Sequence, residues 1–192
     1  MLELILGLAI FLGLHSVRIV AEDWRLSQIA RLGAARWKLI YSLLSLLGFA
    51  LIIWGFGLAR QVPTVLWAVP KGMNHLAALL TLLAFILLAA AYVPRNALKA
   101  HLRHPMILSV KLWALAHLLA NNTVAYLLLF GGFMIWAVLC FRAARQRDRA
   151  HPSADLASSA AMTALTILIG VASWVGFAFW AHVAWFGVRP IG

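Results

Sequence analysis

Seven histidines are spread along this 192-residue chain, and six of them, His15, His75, His101, His104, His117 and His182, fall inside or beside long apolar runs; only His151 lies in a polar stretch. A neutral imidazole binds haem iron, zinc or copper without adding charge to a low-dielectric site, so these residues are the first candidates for chemistry. No His-x-x-x-His or Cys-x-x-Cys spacing offers a compact zinc site on one helix. A metal would therefore draw its ligands from two different helices. Opposed imidazoles on two spans are what a b-type haem requires.

The elements that must position them are set by composition. Hydrophobic residues make up 65% of the chain and charged ones 11%, with mean hydropathy +0.95, where a soluble domain would be about half apolar and a quarter charged. This implies an all-α, polytopic membrane helix bundle, a single domain over residues 1–192 by length. A span needs about 20 mostly apolar residues, and six stretches qualify or come close: 2–20, 37–59, 73–93, 105–120, 123–141 and 163–186. No basic segment precedes Leu2-Glu3-Leu4 and no Ala-x-Ala-like site follows the first run, so that run is expected to be a retained span and not a signal peptide. Pro63 and Pro70 bracket one turn, Pro94 ends the third span, and Asn121-Asn122 marks a short turn between the fourth and fifth. Residues 146–160 read as a flexible polar loop.

Sixteen Lys and Arg against five Asp and Glu give a net charge of +11. In a soluble chain this would suggest nucleic acid; here the basic residues sit between apolar runs, as topology determinants beside anionic lipid. Twelve lie in the first, third and fifth turns. By the positive-inside rule those turns are cytoplasmic and both termini face outward. The lone Cys140, in an apolar run, excludes a disulfide framework and reads as a small buried hydrophobe. Glycines recur in several spans (Gly7, Gly13; Gly48, Gly55, Gly57; Gly131, Gly132; Gly170, Gly176), where they would let helices approach closely.

Polar side chains inside a span are costly and are functional hypotheses by default. Counting about 1.5 Å per residue in a core of about 30 Å, His15 and His117 differ in depth by about 8 Å, an offset that tilt can absorb. They can face one cofactor, or each can simply hydrogen-bond within the bundle. Lys111 either snorkels or meets an anionic group such as a haem propionate or acidic lipid. Arg103 and His104, just before Pro105, stand where an anionic ligand would be met, although a basic interfacial cap has the same composition. Trp24, Trp37, Trp67 and Trp185 read as interface anchors; Trp54, Trp113, Trp136, Trp174 and Trp180 lie deeper and pack on a cofactor or on helices.

His15-Ser16-Val17-Arg18 with Trp24-Arg25, Tyr41 to Gly48, Ala90-Ala91-Tyr92-Val93-Pro94, and Arg103-His104-Pro105-Met106 followed by Lys111-Leu112-Trp113 to His117 and Asn121 resemble the NnrU family of bacterial membrane proteins. The resemblance runs over about residues 1–141 and implies a bacterial inner-membrane protein linked to nitrite and nitric oxide metabolism. A related plant and cyanobacterial family, the cis-zeta-carotene isomerases, implies a haem b with ligands at His15 and His117, and Arg18, Arg103, His104 and Lys111 as further cofactor-binding candidates. A Cys of that isomerase falls at Ala114 here, which argues against redox-driven ligand exchange and isomerase activity. Nitric oxide or a redox partner would be the companion of such a haem; a haem-free accessory factor is the alternative. Arg103-His104-Pro105 is also similar to isoprenylcysteine and phospholipid methyltransferases, but the acidic residues those enzymes use reduce here to Asp148 and Asp155.

Overall fold

The computed structural model describes residues 1–151 and 157–191. Among them every regular element is helical, apart from an isolated antiparallel bridge between Val65 and Thr123. The elements are α1 (Leu2–Val20), α2 (Glu22–Leu32), α3 (Ala34–Ala59), α4 (Met73–Tyr92), α5 (Ala97–Leu102), α6 (Pro105–Ala120), α7 (Val124–Ala150), α8 (Ala160–Gly176), a π-helical segment (Phe177–Ala181) and α9 (His182–Phe186). Five helices are long and apolar enough to cross a membrane: α1, α3, α4, α7 and the continuous run Ala160–Phe186. The expected span over 105–120 is the shorter apolar helix α6, whose 16 residues reach about 24 Å at 1.5 Å per residue, less than a full hydrocarbon core. Packing divides the chain into two compact units.

The first unit comprises Met1–Trp67 and Asn122–Cys140. Its centre is an antiparallel pairing of α1 with α3 through glycine. A Cβ on Gly7 would lie 2.6 Å from the Ile52 amide nitrogen, one on Gly48 would lie 2.9 Å from that of Phe11, and one on Gly55 would land on the Leu4 backbone. Such small residues let two spans touch backbone to backbone where lipid supplies no hydrophobic drive. Between these spans the expected basic turn is instead helical. In α2, Glu22 and Asp23 stand in the first turn and Arg31 in the last, complementing the helix dipole. Gly33, at φ 80°, separates α2 from α3. Arg25 donates to Glu22 at 2.7 and 2.8 Å, which raises the Arg25 guanidinium further above its ordinary range. The turns at 64–67 and 122–124 are tied by Leu66 N–H to the Asn122 carbonyl (2.8 Å), Val124 N–H to the Thr64 carbonyl (3.0 Å) and Asn122 Nδ2 to the Trp67 carbonyl (2.6 Å).

The second unit comprises Ala68–Asn121 and Phe141–Gly192. Here α4 packs against α6 and α8. A Cβ on Gly170 would lie 2.5 Å from Ile86 Cα, and Trp174 Nε1 donates to Thr81 Oγ1 at 3.0 Å. Pro94 stops α4, and Asn96, 1% exposed, organises the turn that follows. Its Nδ2 donates to the Ala90 and Val93 carbonyls (3.0 and 2.6 Å), and its Oδ1 caps α5 by accepting from Lys99 N–H (2.8 Å). Ala97 N–H donates to Thr163 Oγ1 (2.9 Å) and Ser159 N–H to the Arg95 carbonyl (2.8 Å), joining that turn to the start of α8. The first residues of the loop expected over 146–160 are helical, because α7 continues to Ala150 with Arg147 and Arg149 in its last turn, where cations suit the dipole, and residues 152–156 of it lie outside the described residues. Asp155 lies outside the described residues.

Candidate functional site

His15 stands near the end of α1 in the first unit. Its Nδ1 lies 2.7 Å from the Phe11 carbonyl oxygen, four residues back. A carbonyl only accepts, so Nδ1 carries the proton and donates, and the lone pair falls on Nε2. The ring stacks on Phe11 (centroids 4.2 Å apart), lies 5.4 Å from Tyr41 on α3 and meets Trp136 on α7 edge-on at 6.2 Å. Phe11 in turn lies 6.1 Å from Phe49 and 5.9 Å from Phe133. Helices α1, α3 and α7 of this unit thus build an aromatic wall around one imidazole. Ser16, beside it, is tied back to the Leu12 carbonyl (2.7 Å), and Arg18 is exposed. Trp136 Nε1 is buried without a hydrogen-bond partner among the described residues, so the wall contains a donor that none of them uses.

His117 stands in the last turn of α6 in the second unit and repeats the device. Its Nδ1 donates to the Trp113 carbonyl, four residues back, at 2.8 Å, which again leaves the lone pair on Nε2. The Trp113 ring lies 5.4 Å away, Ala114 and Ala116 are fully buried, and Asn121 Nδ2 donates to the His117 carbonyl at 2.8 Å. A ligating histidine almost always donates its other ring N–H to a carbonyl or carboxylate, because this fixes tautomer and ring orientation. His182 makes a related bond, Nδ1 to the Val188 carbonyl at 2.7 Å, after the π-helical segment.

The other candidates of the second unit lie around the start of α6. His104 precedes Pro105, the first residue of α6, and its Nε2 lies 2.9 Å from Asp148 Oδ2 on α7, with Arg145 at 3.8 Å from the same oxygen. The ring also meets Phe141 edge-on at 6.2 Å. His104 is thereby engaged as a tie between α6 and the end of α7. Lys111 places its Nζ 4.9 Å over the Phe141 ring, a cation–π contact. Arg103 holds the turn before α6 at φ 61°. His75 and His101 are exposed. Among the deeper tryptophans, Trp54 and Trp180 face outward, 59% and 70% exposed. Sequence reasoning named Tyr41 only within the family motif, Trp136 only as a deep tryptophan that packs on a cofactor or on helices, and Asp148 only beside Asp155, and it paired none of them with a histidine. The first two sit on the periodic apolar faces of long spans and carry no local signal; Asp148 was the one acidic residue within the arginine-rich run 142–149, which is a signal for an internal partner.

Among the described residues no cluster of three or more His, Cys, Asp or Glu side chains is arranged to hold a metal ion. A haem held by imidazoles alone needs no such cluster, so the fit rests on how each ring is oriented.

Five long apolar helices and a shorter sixth define a multi-pass α-helical membrane protein, whose many exposed large hydrophobic side chains are compatible with contact to lipid. The family model for NnrU protein matches residues 3–190, and the chain belongs to that family. No curated protein and no solved structure matches it.

Proposed function

We propose that this protein is a b-type haem protein of the inner membrane in which His15 and His117 would hold the haem through their imidazole Nε2 atoms. The observation that supports this most is the repeated hydrogen bond, Nδ1–H to the carbonyl four residues back, at both rings (2.7 and 2.8 Å). Each bond presents a neutral, lone-pair-bearing Nε2 from a fixed ring, the state in which imidazole binds iron. When bound, the haem would supply a redox-active iron suited to electron transfer or to sensing a diatomic.

The chain's own residues provide the rest. The Phe11 and Trp113 carbonyls hold the two rings in tautomer and angle. Phe11, Tyr41 and Trp136 exclude water around His15. Arg18, Arg103 and Lys111 are the basic residues the resemblance suggests for haem propionates, while His104, tied to Asp148, fixes the start of α6. The resemblance to denitrification-linked proteins supports nitric oxide, or a redox partner of nitrite and nitric oxide metabolism, as the companion. The basic turns lie in the cytoplasm and both termini outside.

Haem content tests the reading. Purified wild-type protein should carry close to one haem b per chain, and His15→Ala and His117→Ala should each lose most of it while keeping helical content. Full haem in both variants would overturn the ligand assignment, and a folded wild type without haem would leave the accessory-factor reading in its place.

A further inference from the structure

A cleft of about 540 Å³ opens between α4 and α8 on the flank of their line of contact. Phe85, Leu88 and Tyr92 of α4 face Met162, Leu165 and Ile169 of α8 across it, with Pro94 at one end and Ser173 at the other. Its walls cannot simply close. On one side of it the helices are pinned by Gly170 against Ile86 and by the Trp174–Thr81 hydrogen bond; at the other end they are pinned by the Asn96 turn, whose neighbours bond Thr163 and Ser159. From Met162 to Ser173 the cleft runs about 16 Å at 1.5 Å per residue, close to half of a hydrocarbon core of about 30 Å. It is therefore one leaflet deep, starting from the basic end of the spans.

At that end, directly after Pro94, stands Arg95. It is exposed, held at φ 52°, a conformation uncommon for a residue with a side chain, and it makes no ion pair among the described residues. Its neighbour Lys99 is already used, Nζ donating to the Ala91 carbonyl at 2.9 Å. Tyr92, 72% exposed, sits on the same rim, where phenol side chains favour the headgroup region. An apolar slot one leaflet long, with an exposed arginine that has no ion pair among the described residues directly after the proline at its end, is complementary to one kind of molecule.

We propose that the α4–α8 cleft binds one acyl chain of an anionic phospholipid, with the headgroup phosphate on Arg95. Guanidinium groups recognise phosphate through paired, charge-assisted hydrogen bonds, and basic pockets between spans retain acidic lipids. This site is independent of the haem reading.

Native mass spectrometry of the detergent-solubilised full chain, incubated with dioleoyl phosphatidylglycerol or dioleoyl phosphatidylcholine, tests it. One phosphatidylglycerol should be retained about tenfold more strongly than phosphatidylcholine, as expected for one charge-assisted phosphate contact. Arg95→Asn, which removes the charge but tolerates positive φ, should abolish the preference. Ile169→Trp should fill the slot and release the lipid; Leu88→Phe serves if the tryptophan variant does not fold. Arg142→Gln, which removes an exposed cation elsewhere in the same unit, should leave retention unchanged. Equal retention of the two lipids, or wild-type preference in Arg95→Asn, would overturn the headgroup assignment, and wild-type retention in the slot-filling variants would overturn the cleft.

Discussion

The α1–α3 pair and the α4–α8 pair are both antiparallel and apolar, but glycines at 7, 48 and 55 seal the first along its length, whereas Gly170 alone brings the second into backbone contact. The sealed pair carries His15 in a rigid aromatic wall. The α4–α8 pair, which meets backbone to backbone at Gly170 alone, leaves a cleft beside its contact. Small residues repeated across a span interface thus make a scaffold, and a single one makes a hinge point around which space remains.

Breaking the seal should have the largest effect on stability. Gly7→Val or Gly55→Val drives a side chain into the facing backbone, and overpacking of this kind costs about 1–3 kcal/mol or more, read as a lower thermal midpoint in detergent. Gly13→Ala and Gly57→Ala, with no atom within 4 Å of the new Cβ, should keep or slightly raise that midpoint. Gly170→Ala should cost about 1–3 kcal/mol, because the new Cβ meets the Ile86 backbone while hydrogen bonds on either side of it hold α8 in register. Asp148→Asn should cost about 0.5–1.5 kcal/mol by weakening the bond from His104, which is partly exposed, and His104→Ala should add little once Asp148 is gone, a double-mutant cycle being the check. Smallest of all, Trp136→Phe keeps the ring edge beside His15 and deletes an indole N–H that has no partner. The haem-free protein should change by less than about 0.5 kcal/mol or gain stability; a loss of several kcal/mol would mean that the N–H is in use.

Much of this was legible in the sequence, because one physical rule covers it: an apolar run long enough for the bilayer must be helical. Five runs satisfied that rule outright, and Pro105 announced the start of α6 although the helix falls short of a full crossing. The amphipathic helix α2 was hidden because counting Arg25 and Arg31 for topology concealed the pairing of Arg25 with Glu22 and the place of Arg31 at the helix end. The end of α7 was hidden because polarity was taken for a loop, whereas a helix leaving the membrane becomes polar without unwinding. Of the glycines, spacing alone did not separate Gly7, Gly48, Gly55 and Gly170, which meet backbone, from Gly13, Gly57 and Gly176, which meet nothing; that depends on which helix lies opposite. His15 and His117 could be singled out as intramembrane imidazoles, but their common hydrogen bond to the carbonyl four residues back required coordinates.

The central claim is that these two equally prepared imidazoles are iron ligands. Absorption spectra of the purified protein, oxidised and dithionite-reduced, test it most directly. The account predicts a Soret band with sharp reduced α and β bands, the signature of low-spin, bis-imidazole haem b, and its loss or conversion to a high-spin form in His15→Ala and in His117→Ala. A colourless, fully helical wild-type protein, or a low-spin spectrum unchanged in both variants, would contradict it.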